Sequence, residues 1–313
     1  MTKTKGLLIL AILVLVSFLL IPAVLAADGD STAVSQEVTA ADLEISQPIL
    51  LPNNPFYFFK EWTRGIRLGL TFNKVKKEEL RLKQMNERLI EVKELFNQPP
   101  DEKTQELIIK AVDKYQDQSE KFMEQVEKLK TKLENNESFK KLMKKNTDWE
   151  LKRQYLLQEA EAEEVLKVEV KERIQEAMKG SLGNFATTVS VINTGVELEQ
   201  NLGSAIKKAG GLRKMHSLEI LRELEIKVSD EAKPMIQRVK AESLEAVQQS
   251  LEKVDEITQE NLMNEFMGFN PSREVVDQIS NTTGSESGFD RMIRKLKGGS
   301  GSSSESVEPE LVP

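Results

Sequence analysis

His216 is the only histidine in this 313-residue chain. Glu219 and Glu223 follow it at i+3 and i+7, so the three share one face of a helix. Upstream, Glu159, Glu161, Glu163 and Glu164 crowd together. Imidazole with carboxylates is the donor set of metal centres built inside helical bundles. Such centres need inward-facing acids from several helices, commonly with two Glu-x-x-His pairs. Here the order is His-x-x-Glu, and it occurs once. Acids interleaved with Lys and Arg ordinarily form a solvated face laced by i,i+4 pairs. The residues therefore assign no metal ligand, and the same holds for catalysis and cofactors. A lone histidine removes most histidine-based hydrolysis, and neither a Gly-rich phosphate loop nor a nucleophile elbow occurs. Without cysteine there is no thiolate nucleophile, thiolate zinc site or disulfide. The expectation is a protein that is not an enzyme.

The elements that would carry those side chains are helices. Charged residues make up 30% of the chain and aromatics only 5%, which favours long charged helices over a sandwich or an α/β enzyme. The formal net charge is −7, an acidic balance that argues against nucleic acid as the main partner. Met1–Lys5 is short and basic, Gly6–Leu20 is apolar apart from Ser17, and Pro22 breaks the run. Val24 and Ala26 then place small residues at −3 and −1 of a cleavage site. These are the parts of a secretory signal peptide, and cleavage is expected after Ala26. Gly6–Leu25 is also long enough to span a bilayer if it is retained as an anchor.

The expected organisation is a signal peptide over 1–26, a polar tether over 27–50, a helical hairpin domain over 51–135 and a helical bundle region over 136–270. A Ser/Gly/Glu-rich disordered tail covers 281–313. Asn54 with Pro55 reads as a helix start. Phe58, Trp62, Gly65 and Phe72 then share a face beside Phe59, Ile66 and Leu70. That stripe reads first as a short oily helix anchoring the long ones, with an aromatic ligand or membrane-docking patch as the alternative. Asn73 starts the next helix, with Val75, Leu82, Leu89 and Phe96 at seven-residue spacing. After Pro99-Pro100, Ile108, Val112, Tyr115, Ser119, Phe122, Val126, Leu129 and Leu133 alternate four and three apart, an a/d seam. Two such helices about a tight turn should form an antiparallel hairpin.

A third helix is expected from Ser138 to Lys179, either unbroken or restarted at Asn146-Thr147-Asp148. Residues 182–209 carry two apolar stripes and read as a helix buried on much of its circumference. Gly210-Gly211 is a hinge before helix 212–227, and Ser229-Asp230-Glu231 should cap a helix reaching Met267. A shift of 62 residues aligns Glu163 with Glu225, Glu169 with Glu231, Lys171 with Lys233, Ile174-Gln175 with Ile236-Gln237 and Ser181-Leu182 with Ser243-Leu244. Either this is an internal repeat or two Glu/Lys-rich helices resemble one another by chance. Asn136-Glu137-Ser138 and Asn281-Thr282-Thr283 match the glycosylation pattern. The fold class is all-α: antiparallel helical hairpins and an elongated bundle with coiled-coil-like seams.

The stretch Leu51-Pro52-Asn53-Asn54-Pro55-Phe56-Tyr57-Phe58-Phe59-Lys60, with Gly65-Ile66-Arg67-Leu68, Thr71-Phe72, Lys77–Leu82 and Glu87–Glu91, resembles the start of a known family. It is the exported bacterial and archaeal domain of unknown function numbered 5667. The resemblance covers about residues 48–135 and extends in weaker form to Arg213–Leu251, where Ser229 replaces an expected proline. It implies export and a helical fold, and supplies no catalytic or ligand residue. The expected role is that of an exported non-enzymatic scaffold, adaptor or self-associating envelope protein. Its partners would be proteins or copies of itself, with membrane contact only through Gly6–Leu25 where that segment stays uncleaved. The alternative is a periplasmic helical holdase or a stress or metal sensor. A carboxylate metal enzyme ranks last. Exposed apolar area inside the hairpin would favour the holdase, and converging buried carboxylates the enzyme.

Overall fold

Asn73 opens the first long helix as its spacing requires: the side-chain oxygen accepts from the Lys76 backbone N–H at 3.0 Å. In this computed structural model, residues 37–133, 136–191 and 195–282 are described, and they lie in one unit of contacts, Ala33–Pro313. Ten α-helices follow one another: α1 (Tyr57–Leu70), α2 (Lys74–Phe96), α3 (Glu102–Leu133), α4 (Glu137–Ala162), α5 (Val168–Val191), α6 (Gly195–Lys207), α7 (Gly211–Lys227), α8 (Lys233–Glu252), α9 (Glu256–Gly268) and α10 (Arg273–Thr282). There is no strand among the described residues. The all-α expectation holds. The expected signal peptide and most of the 281–313 tail lie outside the described residues.

The Pro99-Pro100 turn joins α2 and α3 as an antiparallel pair, with Arg81 Nη1 donating to Gln118 Oε1 across it at 3.0 Å. The seam residues Leu82, Met85, Leu89, Val112, Tyr115, Ser119, Phe122 and Val126 are all buried. The pair does not stand alone. α4 packs on α2, α5 packs on α3, and α4 packs on α5, closing a four-helix bundle. One continuous core runs from Val38 to Val239, so residue 135 marks no boundary between cores. A second, smaller core joins α7, α8, α9 and α10 through Leu212, Met215, Leu251, Met263, Phe266 and Ile279.

Several expected boundaries move. The third long helix is two helices, and its break falls at 163–167, not at Asn146-Thr147-Asp148; Asn146 and Thr147 are buried inside α4. The helix expected up to Met267 ends at Glu252, and α9 restarts with Asp255 accepting from the Thr258 N–H at 2.8 Å. The backbone before α8 is capped without side-chain help, and Pro234 sits in the first turn, where its missing N–H costs least. The helical stretch 182–209 is shared between α5 and α6. Asn54 does not start α1. Its side chain accepts from the Phe56 N–H at 2.9 Å in a turn, and the helix begins at Tyr57.

The tether also differs from its expectation. A 3-10 turn, Ala41–Leu43, buries Val38, Ala40 and Leu43 in the main core. Asn86 Nδ2 donates to the Leu43 carbonyl, Lys93 Nζ to that of Val38 and Lys152 Nζ to that of Asp42. Polar composition hid three apolar side chains at the spacing of one turn. The 62-residue shift aligns the α4–α5 and α7–α8 helix pairs. Ile174 and Ile236 are both fully buried, as are Ser181 and Ser243. Tyr155 and Ser217, equivalent under the shift, hydrogen-bond each other.

Candidate functional site

The amphipathic pattern of α1 is strong, and its orientation is the reverse of the expected one. Tyr57, Lys60, Glu61 and Arg64 recur at helical spacing and face α2, where Gln84, Glu87, Arg88 and Glu91 recur in the same way. Arg64 reaches Glu87 at 2.5 Å, Glu61 at 2.8 Å and Glu91 at 2.8 Å. Lys60 also pairs with Glu91, at 2.6 Å. Arg88 meets Glu61 at 2.5 Å, and Lys114 of α3 reaches the same carboxylate at 2.7 Å. The Tyr57 hydroxyl donates to Glu91 Oε2 at 2.6 Å. Glu91 is fully enclosed.

Electrostatics follow from this geometry. Burial alone would raise the Glu91 carboxyl, but Arg64 and Lys60 overcome it and hold the group below the usual carboxylate range. Glu61 behaves the same way, with burial opposed by Arg88 and Lys114. Burial and then the Glu91 charge push the Tyr57 phenol well above its ordinary value. Each buried charge here has an opposite partner, the condition under which buried ions are tolerated.

Because the charged face points inward, the apolar face points out. Trp62 is 64% exposed and Phe72 89%, with Ile49, Phe56, Phe58, Phe59 and Leu70 also on the surface. The reading of this stripe as an internal anchor is therefore corrected. The aromatic residues anchor nothing inside the fold, since α2 offers α1 a ladder of charges and keeps its own apolar seam for α3, α4 and the 3-10 turn. A contiguous apolar patch of this kind marks an interaction surface. It is the candidate functional site.

The residues first considered for chemistry converge only in part. His216 is buried, 4% exposed, and its Nδ1 pairs with Gln158 Oε1 at 2.8 Å. Burial and the nearby Arg213 lower its pKa to about 4. Glu219 is taken by Arg222 and by the Ser272 backbone and hydroxyl, and Glu223 by Arg222. His216, Glu159, Glu163 and Glu164 line one cleft of ≈ 570 Å³ with Tyr155, Arg213, Glu265 and Phe269, yet among the described residues no group of three such side chains is placed to hold a metal ion. Burial raises the Glu159 carboxyl. Glu161 turns away from this cleft to accept from Gln175 at 2.7 Å. Deeper in the bundle, the fully enclosed Arg153 meets Glu150 at 2.5 Å, Asn146 at 2.9 Å and Asn86 at 3.2 Å. Ser181 and Gln154 complete the shell of Glu150. Asn136, of the first glycosylation pattern, caps α4 with its side-chain oxygen.

Residues 49–200, which span α1–α5 and run into α6, match the profile of a domain of unknown function (DUF5667). The match is just under half of the chain. It reaches further than the resemblance over 48–135 and leaves Arg213–Leu251 outside. Among curated proteins and among solved structures, no match to this chain was found. Among the described residues, no helix is long and apolar enough to cross a membrane.

Proposed function

We propose that the protein is an exported, non-enzymatic scaffold or adaptor of the cell envelope, acting through the exposed surface of its first helix. The observation that carries this reading is the inverted docking of α1. An internal helix would bury Phe58 and Trp62, whereas this one commits its charges to α2 and leaves its aromatics to something else. The buried carboxylates also support it. Glu91, Glu61 and Glu150 are each held by arginine or lysine in a structural ion pair. The inside of the α2–α3 hairpin is covered by α4 and α5, which favours a scaffold over a cradle for unfolded clients. The basic, apolar and small-residue sections ahead of Ala27 support export.

Expression of the full chain in an exporting host tests this. The expected product starts at Ala27, is accessible to protease added outside the cytoplasm, and fractionates with the envelope. Replacing Phe58 and Phe59 with serine should release it from the envelope without unfolding it. A protein held in the cytosol, or one retained equally with and without these side chains, defeats the proposal.

A further inference from the structure

The occupant of the α1 face can be named from its charges. Residues 49–77 contain Lys60, Arg64, Arg67, Lys74, Lys76 and Lys77 against a single acid, Glu61, in a chain whose net charge is −7. Glu61 is turned inward to Arg64, Arg88 and Lys114. The exposed charges bordering the aromatic stripe are thus Arg67, Lys74 and Lys76, all basic. A second copy docked by the same face would set two basic borders of like charge against each other. A bilayer with anionic headgroups satisfies both components: the Phe/Trp/Leu stripe enters the boundary between headgroups and acyl chains, and the basic border meets the lipid charge.

We infer that α1 seats the protein on an anionic bilayer surface, lying flat with Phe58, Phe59 and Trp62 inserted and Arg67, Lys74 and Lys76 at the headgroups. This contact is separate from any made by Gly6–Leu25, and it rests on the envelope reading above. It adds to that reading the class of partner, an anionic phospholipid surface.

The chain has two tryptophans, and they report differently. Trp149 is 1% exposed inside the bundle, while Trp62 stands on the α1 face. The experiment adds vesicles of phosphatidylcholine, with and without phosphatidylglycerol and carrying brominated acyl chains, to the exported product that starts at Ala27 and follows tryptophan emission. The expected result is a blue shift and bromine quenching of Trp62 with the anionic vesicles, weakened by salt. Arg67→Gln and Lys74→Gln should each lower vesicle affinity about fivefold at low salt. The Phe58→Ser/Phe59→Ser double variant should lower it on the order of a hundredfold, with an unchanged melting curve. Unquenched Trp62, or quenching that survives the double variant, overturns the inference. So does a concentration-dependent dimer that shields Trp62 from bromine. If vesicles fail while envelope retention still depends on Phe58 and Phe59, the lipid partner falls and the scaffold reading stands. If retention is lost as a criterion too, both fall.

Discussion

α1 and α3 are both amphipathic, both pack on α2, and do so with opposite faces. α3 gives α2 its apolar seam, with Val112, Tyr115 and Phe122 enclosed. α1 gives α2 Lys60, Glu61 and Arg64, and turns its aromatics away. The difference lies in α2, which carries an apolar stripe on one side and the Gln84, Glu87, Arg88 and Glu91 ladder on another. A helix docks by whichever face finds its complement. The hydrophobic pattern of α1 therefore records what it meets outside the fold.

The comparison can be tested first where it should be starkest. Phe122→Asp puts an unpaired charge in the α2–α3 seam and should cost about 3–5 kcal/mol. Lys121→Asp, beside it on the water face, should cost about 0.5 kcal/mol or less. Equal losses of melting temperature in the two variants would mean that the seam is not buried. Next, Glu91→Gln takes from Lys60 its carboxylate partner and from Arg64 one of three, and should cost about 2–3 kcal/mol. Limited proteolysis should then cut first between α1 and α2, and unaltered stability would remove electrostatic docking as the reason α1 is held.

Acid separates two regions by their windows. His216 is held neutral by burial, with a folded pKa of about 4 against an ordinary value of 6.5. The unfolded chain binds that proton more readily, so stability falls as pH drops from about 6.5 to 4, by about 2–3 kcal/mol. The Glu159 carboxyl, raised by burial, works in the opposite sense, so the His216 share is the difference between wild type and His216→Gln. Glu61 and Glu91 are held below the usual range. Their contribution is fully present above about pH 4.5 and is lost as pH falls further, through their depressed folded values. Thermal melts at pH 7, 4 and 2.5 read both steps, and parallel curves for wild type and His216→Gln down to pH 4 would refute the first. The smallest effect belongs to the α1 surface. Phe58→Ser should shift stability by about 0.5 kcal/mol or less, although the same exchange at Phe122 would be severe.

The helices around Pro99-Pro100 were legible because turn chemistry and a long seam point to one arrangement. Asn73 and Pro234 were legible for the same local reason. The break at 163–167 was not: Glu163 and Glu164 are acceptable inside a helix, and packing of α4 against α5 ends it there. The 3-10 turn was missed because Val38, Ala40 and Leu43 are too few to form a pattern among Ser, Thr and Asp. The α1 site was visible as an amphipathic stripe, but its direction was not. That depended on charges about thirty residues later, at Glu87, Arg88 and Glu91, which as sequence look like any solvated helix face.

The clasp made by Val38–Leu43 has a mechanical consequence. Its carbonyls are held by Lys93 and Lys152 on two different helices, and by Asn86, whose side-chain oxygen also receives Arg153. Tension applied through the residues ahead of Glu37 therefore loads Asn86, Lys93 and Lys152 of the bundle before any of it reaches α1. A tug on the leading end of the chain leaves the aromatic helix unloaded and still in place on its charged ladder.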